Sequence, residues 1–390
     1  MRNYLKNNPD LIQTPAYYFD LDEFARRTQM VCSKLKWIPL TYSIKANPFL
    51  VCGLPDQIRH VEVCSPGELD ICRMQHIPGE RIIYSGVNKE NWDIEEALSW
   101  GVDIVTAESK YHVFLEQEAA HKAGIKQKTI LRLSSGNQFG MSEEDILSIL
   151  QETERYPNLD FYGIHYYSGT QKKTKQIQRD LEKIEAFLEI AEKKTGFRPG
   201  LVEMGPGLQI NYFDPPYEQA EMQALEEAAP LLMDFAKRYP LGIEMGRYLA
   251  ASCGTFSTRV KDLKNNQETN YVICDGGIHQ LNYYGQNMAM RIPETEAISE
   301  SRSKQNYCIC GSLCTTADIL VRDIELPELK QGDVLLFHRC GAYSVTEGIS
   351  LFLSRDLPAV YAYSRKGGMV KLREKRRIWA LNTKGRAEQE

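Results

Sequence analysis

The chain has 390 residues, 43% of them apolar and 25% charged. That length suits a (β/α) barrel of about 250 residues plus an addition, or two to three modest domains. A formal net charge of −5 gives no basis for binding nucleic acid or an anionic membrane, and no apolar run approaches the roughly 20 residues that span a bilayer.

The N-terminal MRNYLKNNPDLIQ lacks the apolar centre of a secretory signal. Ten cysteines are dispersed without a CxxC pair, and Cys308 and Cys310 fall in an apolar, strand-like run. Most are expected to be small buried hydrophobes in a reducing cytoplasm, with no metal site.

TPAYYFDL (14–21) reads as a strand that either pairs into a second domain or caps a barrel. From about residue 38 to 250, short apolar runs alternate with amphipathic ones. The strand candidates are PLTYSIK (39–45), HVEVC (60–64), RIIYSG (81–86), DIVTAE (103–108), TILRLS (129–134), FYGIHYYSG (161–169), GLVEMG (200–205) and LGIEMG (241–246). Helical patterns such as NWDIEEALSWG and SKYHVFLEQEAAHKAG separate them. Eight such units predict a (β/α)₈ TIM barrel over 22–252. Beyond it, TFSTRVKDLK, YVICDGG, YCICGSLC, DILVRDIEL, GDVLLFHRCGAY and PAVYAYS predict an all-β domain over 253–390, joined by residues 1–21. KLREKRR (371–377) and the residues after it read as a basic, solvated, frayed tail.

In YSIKANP (42–48), Lys45 ends an apolar strand. Burying an ammonium is costly, and the cost is expected to lower its pKa and make it a nucleophile toward an aldehyde. Barrel chemistry sits at the C-terminal ends of the strands. There the sequence places Lys45, Glu62 with Ser65, Arg132, His165 with Tyr167, Gly205 with Gly207, and Glu244 with Gly246 and Arg247. The turns SGT (168–170), GPG (205–207) and GR (246–247) offer unobstructed N–H groups, the Thr170 hydroxyl and a guanidinium to a phosphate. Glu244 could pair with a pyridine nitrogen, and the set as a whole points to pyridoxal phosphate held on Lys45. Each residue alone has a plainer reading: GPG as a turn, Glu244–Arg247 as a salt bridge, His165 as a core histidine, Lys45 as a snorkelling surface lysine. Their succession on consecutive strand ends argues against that.

These motifs resemble the fold-type III pyridoxal-phosphate decarboxylases, the family of diaminopimelate and ornithine decarboxylases, over roughly residues 14–365. YSIKAN looks like the cofactor-lysine motif; VEVCSPGEL and YSGVNKE look like the next two strand ends. GIHYYSGTQ, EMGPGLQINY and IEMGRYL are similar to the stacking, glycine-rich and Glu-x-Gly-Arg segments, and CDGGIHQL, CGSLCTTADIL and GAYS follow in order. The resemblance implies an alanine racemase-like architecture, with Lys45 as the imine-forming residue and Glu244 on the ring nitrogen. It implies that Thr170, Gly207, Gly246, Arg247 and Tyr343 surround the phosphate. It also implies that Cys314 returns a proton to Cα after carbon dioxide leaves, and that Cys314 and Asp318 reach the site from the other subunit of a head-to-tail homodimer.

Two departures stand out. Tyr167 occupies the place of the family's stacking histidine; a tyrosine ring also stacks, and His165 lies on the same strand face. Thr315 follows Cys314 where a substrate-gripping carboxylate is usual, and Tyr283 stands where diaminopimelate enzymes carry an arginine. Without those charges, free diaminopimelate, ornithine, lysine or arginine is disfavoured. The run resembles instead the branch acting on derivatised amino acids, including siderophore precursors and glutamyl groups tethered to a carrier protein. The basic tail would help an acidic carrier approach. An amino-acid racemase would need a β-domain tyrosine as second base, and a non-catalytic regulator would not need Lys45, Glu244, Arg247, Cys314 and Tyr343 intact.

Overall fold

The computed structural model describes residues 1–384. They form two compact units, one of Arg27–Ile210 with Glu218–Tyr248, the other of Met1–Arg26, Asn211–Tyr217 and the chain from Leu249 onward. In chain order, β1 (Ala16–Asp20) belongs to the second unit. β2 (Leu40–Ser43), β3 (Ile58–Val63), β4 (Ile82–Tyr84), β5 (Ile104–Ala107), β6 (Gln127–Arg132), β7 (Leu159–Tyr167), β8 (Leu201–Gly205) and β9 (Leu241–Met245) make the first.

β2 to β9 close into an eight-stranded parallel barrel, with β2 paired to β9. Every residue of β2, β8 and β9 is buried, because a parallel strand inside a ring of helices is covered on both faces. Three intervening helices begin alike: Ser65, Ser109 and Ser142 each accept a hydrogen bond from the backbone N–H three residues on. That caps N–H groups the helix itself leaves unpaired. Gly124 and Gly196 end their helices in the left-handed conformation. Inside the unit, Arg27 is fully buried, with its NH1 2.8 Å from Glu221 and its guanidinium 4.4 Å over the Tyr248 ring.

The second unit contains β10 (Gly254–Asn266), β11 (Thr269–Cys274), β12 (Thr295–Ile298), β13 (Lys304–Cys310), β14 (Ile319–Pro327), β15 (Val334–His338), β16 (Ala359–Ser364) and β17 (Gly368–Arg373). They form one sheet in the order β14-β13-β11-β10-β1-β16-β17, with β15 paired to β10 and β12. β1 lies antiparallel to β10 and parallel to β16, so TPAYYFDL pairs into the sheet. Asn211–Tyr217 interrupts the range 22–252 expected for the barrel. In the sheet unit its Tyr212 and Phe213 rings pack edge-on against Tyr283, and the Asn211 carbonyl accepts from Arg339 Nε at 2.9 Å.

The expected frayed tail is corrected. Gly368–Arg373 pairs with β16, Leu357 and Arg376 exchange backbone hydrogen bonds, and Ile378 is buried. Lys371 and Arg373 lie on this strand, and Lys375, Arg376 and Arg377 follow it; the tail beyond residue 384 lies outside the described residues. All ten cysteines are free thiols, five of them buried. Among the described residues no helix is long and apolar enough to cross a membrane.

Candidate active site

The site assembles where the barrel strands end. Lys45 follows β2 on a single turn of 3₁₀ helix, and Pro48 starts the next turn, with the Asn47 side chain accepting from Phe49 N–H. Lys45 Nζ donates to Glu62 at 2.8 and 3.0 Å, approaches the Cys64 sulfur at 3.6 Å and lies 3.7 Å from Glu244. The expected lowering of its pKa is corrected. Burial opposes the charge, but Glu62, Cys64 and Glu244 outweigh it and hold the ammonium well above its ordinary range. Lys45 therefore rests as an ammonium, with Glu62 as its contact counter-ion.

Glu244 is buried with both oxygens engaged: Ser43 Oγ donates to Oε1 at 2.7 Å and His165 Nε2 donates to Oε2 at 3.1 Å. Burial alone would favour the neutral acid; Lys45, His165 and Ser43 instead hold it far below the usual carboxylate range. It is thus an ionised carboxylate aimed from β9. On β8, Glu203 is buried, one of its oxygens has no hydrogen-bond partner, and burial together with Glu244 and Glu62 lifts its pKa to about 8 despite a hydrogen bond from Thr41. Burial without a nearby cation, next to two other carboxylates, favours the protonated acid. The sequence reading missed Glu203 and Cys64, although both sit within strand ends it had picked out.

Two loops after β7 and β8 are clasped together. Lys172, buried, donates through Nζ to Asp180 (2.6 Å), Ser168 (2.8 Å) and the Gly205 carbonyl (3.4 Å), and through its backbone N–H to the Gly207 carbonyl (2.8 Å). The Gln171 amide exchanges hydrogen bonds with the backbone of Ile210 at 2.6 and 3.1 Å. Gly207 has φ +60°, and a Cβ there would lie 2.1 Å from the Gly169 carbonyl; one on Gly246 would meet Ala46 at 2.9 Å. Only glycine fits either place. The Tyr167 ring lies against Gly205, and its hydroxyl is bonded to Thr170 in the field of Lys45, Glu244 and Arg247. A lysine for an aldehyde, an ionised carboxylate for a ring nitrogen, and backbone cleared of side chains for a phosphate fit pyridoxal phosphate.

Arg132, at the end of β6, is bound by Glu108, whose other oxygen accepts from Gly140 N–H at 3.0 Å. Glu108 thus links Arg132 to the Leu133–Met141 loop.

In the sheet unit, Cys314, Thr315 and Thr316 stand exposed on the loop between β13 and β14. Asp318 clasps this loop to the turn after β11. It is buried, with Oδ1 accepting from Ile278 N–H at 2.8 Å and Oδ2 from Leu313 N–H at 2.6 Å. Tyr283 is also buried: it is 2% exposed, its hydroxyl donates to the His338 carbonyl at 2.6 Å, and its ring is wedged against Tyr212 and Phe213. Tyr343 is half-buried at φ +69°, a conformation unfavourable for a side chain of its size, with its carbonyl accepting from Thr346 and Glu347.

The family model described as pyridoxal-dependent decarboxylase, C-terminal sheet domain, matches residues 20–341. The chain belongs to that decarboxylase family. This decarboxylase uses pyridoxal phosphate and acts on an amino acid. It is 27% identical over 399 residues to the L-glutamyl-[BtrI acyl-carrier protein] decarboxylase of Niallia circulans, covering 93% of this chain and 91% of that one. It is 27% identical over 362 residues to the diaminopimelate decarboxylase of Aquifex aeolicus, covering 87% and 84%. A diaminopimelate decarboxylase structure from M. jannaschi superposes with a TM-score of 0.84 at 22% identity, covering 96% of this chain and 92% of that one, and shares its fold.

Two outcomes follow from the decarboxylase's barrel. Because the folded pKa of Glu203 lies above its ordinary 4.5, its contribution to stability is complete below pH 4.5 and is lost as pH rises through about 8. Glu203→Gln should therefore gain on the wild type across that interval, by up to about 1.4 kcal/mol per pH unit in urea unfolding; parallel pH profiles would show Glu203 to be ionised. If Lys172 organises the phosphate loops, Lys172→Met should weaken pyridoxal phosphate binding by roughly tenfold or more yet leave pyridoxal binding unchanged in spectral titration. Equal losses for both would make Lys172 a general stabiliser only.

Proposed function

We propose that this decarboxylase removes the α-carboxylate of a conjugated amino acid, such as an aminoacyl group carried on a larger anionic partner, rather than of a free diamino acid. The observation that carries this reading is the neutrality of the substrate-side residues. The loop bearing Cys314 continues with exposed, uncharged Thr315 and Thr316. The Asp318 carboxylate is spent on two backbone N–H groups, and position 283 offers a buried tyrosine in place of a cation. A site that recognises a distal ammonium or carboxylate needs a partner charge, and these positions supply none. The similarity to an enzyme acting on a glutamyl group of an acyl-carrier protein supports the reading, whereas the equal similarity to a diaminopimelate decarboxylase leaves the family assignment neutral between them.

The residues divide the chemistry as follows. Pyridoxal phosphate, when bound, supplies an electron-accepting ring for the bond that loses carbon dioxide. Lys45 holds the cofactor and Glu62 takes up the proton that Lys45 must shed to become nucleophilic. Glu244, ionised and fixed by Ser43 and His165, favours a proton on the ring nitrogen. Tyr167 supplies an aromatic face, and Thr170, Gly207, Gly246, Arg247 and Tyr343 serve the phosphate. Cys314 keeps a proton for Cα. Its exposure in a single chain, together with the exposed apolar residues Ile349, Leu351, Phe352 and Leu353, supports a homodimer in which Cys314 acts in the partner's site.

Carbon dioxide release from purified enzyme with added cofactor tests the substrate. Acyl-conjugated and carrier-bound amino acids should turn over, with free ornithine, lysine, arginine and diaminopimelate lower by roughly a hundredfold in kcat/KM. Equal or faster release from a free diamino acid would overturn the reading. Cys314→Ala should bind cofactor with unchanged absorbance but turn over more slowly, by a factor on the order of 10²–10³; an unchanged rate and product would remove its proton-donor role.

A further inference from the structure

A cleft of about 590 Å³ opens beside the first turns of helices Thr174–Thr195 and Tyr217–Ala236. These helices follow β7 and β8, so their N-terminal turns lie on the catalytic face of the barrel. Lys172 and Gln209 line the cleft and belong to the two clasped loops, which places it immediately behind them. Its volume falls within the usual range of small-molecule sites.

The lining is electrostatically unfavourable as it stands. Lys173, Lys175 and Arg179 are exposed along it and, among the described residues, none of the three is in an ion pair. Lys175 and Arg179 are four residues apart on one helix, where like charges repel. Lys173 and Lys175 crowd the positive end of that helix dipole, and its first turn holds no acidic residue. The one carboxylate in the lining, Glu227, already accepts from Thr174 Oγ1 at 2.8 Å and Gln223 Nε2 at 2.9 Å. By contrast the neighbouring Lys172 is neutralised by Asp180. Three cations converge on this concavity against the single carboxylate of Glu227, an excess of positive charge, in a chain of net charge −5, that an anion would complete.

We infer that this cleft binds the oxyanion of the substrate's conjugate, a phosphodiester of the kind that joins a carrier protein to the arm bearing its acyl group. The inference rests on the conjugated-substrate reading and adds where the conjugate is held. The phosphate would sit between Lys175 and Arg179, leaving the aminoacyl end free to reach the strand ends where Lys45 lies.

The test uses the cofactor-loaded enzyme and its Lys175→Glu/Arg179→Glu variant, titrated calorimetrically with 4′-phosphopantetheine and, separately, with inorganic phosphate. Wild type should bind 4′-phosphopantetheine, and the variant should bind it at least about tenfold more weakly, with identical cofactor absorbance. In turnover, the variant's kcat/KM for a phosphopantetheine-linked aminoacyl substrate should fall through KM with kcat unchanged. Equal binding and equal kcat/KM in the two enzymes, while the conjugate is still decarboxylated, overturns the cleft assignment and leaves the substrate reading standing. Turnover confined to free amino acids overturns the substrate reading; phosphopantetheine binding that is lost in the variant then still supports an oxyanion site, and equal binding removes it. Binding of inorganic phosphate as tight as that of 4′-phosphopantetheine would overturn recognition of the arm.

Discussion

The protonation of Lys45 is set by its company. A lysine that must attack an aldehyde is commonly prepared by burial, which sheds its proton; here Glu62 at 2.8 Å and Glu244 at 3.7 Å keep the proton on. The same cation helps Glu244 to stay ionised while buried, whereas burial, with the fields of Glu244 and Glu62 added, pushes Glu203 toward its neutral form. The three side chains come from β3, β8 and β9, and their charges form one balance.

That balance needs fixed geometry, and the barrel supplies it through contacts beyond the charged cluster. Glu244 is pinned from β2 by Ser43 and from β7 by His165. The loops that follow β7 and β8 are held to each other by Lys172 and Gln171, with glycine wherever backbone would otherwise meet a side chain. In the sheet unit Asp318 plays a comparable part, fastening the turn after β11 to the loop that displays Cys314. Each of these side chains makes at least one hydrogen bond within its own unit, while His165 Nδ1 has no hydrogen-bond partner.

Substrate choice follows from what these arrangements leave available. Of the positions from which a distal charge would be gripped, Thr315 is uncharged and Tyr283 is consumed by a backbone hydrogen bond and core packing, while the nearby Asp318 carboxylate accepts from two backbone N–H groups. On the barrel, Lys173, Lys175 and Arg179 line one cleft and, among the described residues, none of the three is in an ion pair. Charge is thus missing from the expected substrate positions, while several cations share a cleft beside the loops after β7 and β8.

The eight barrel strands were legible because each is a short apolar run set off by an amphipathic helix, a pattern that depends on neighbours in the chain. Six of the later strands were legible for the same reason, but β12 and β17 were not: their residues are half-buried or exposed on edge strands and carry little alternation. Lys45, Glu62, His165 and Glu244 could be picked out because chemistry at strand ends concentrates unusual residue types there. Their charge states could not, since a pKa depends on which carboxylates converge from strands nearly 200 residues apart. Nor could the roles of Asp318 and Tyr283, where motif register marks a position but burial decides what its side chain touches. Sequence alone determined the barrel and the β domain and marked candidate residues at the strand ends, because local periodicity and motif spacing encode them. Only the tertiary structure decided which acids are ionised, which polar groups are already satisfied and which cations are left without a partner, because those are properties of distances through space.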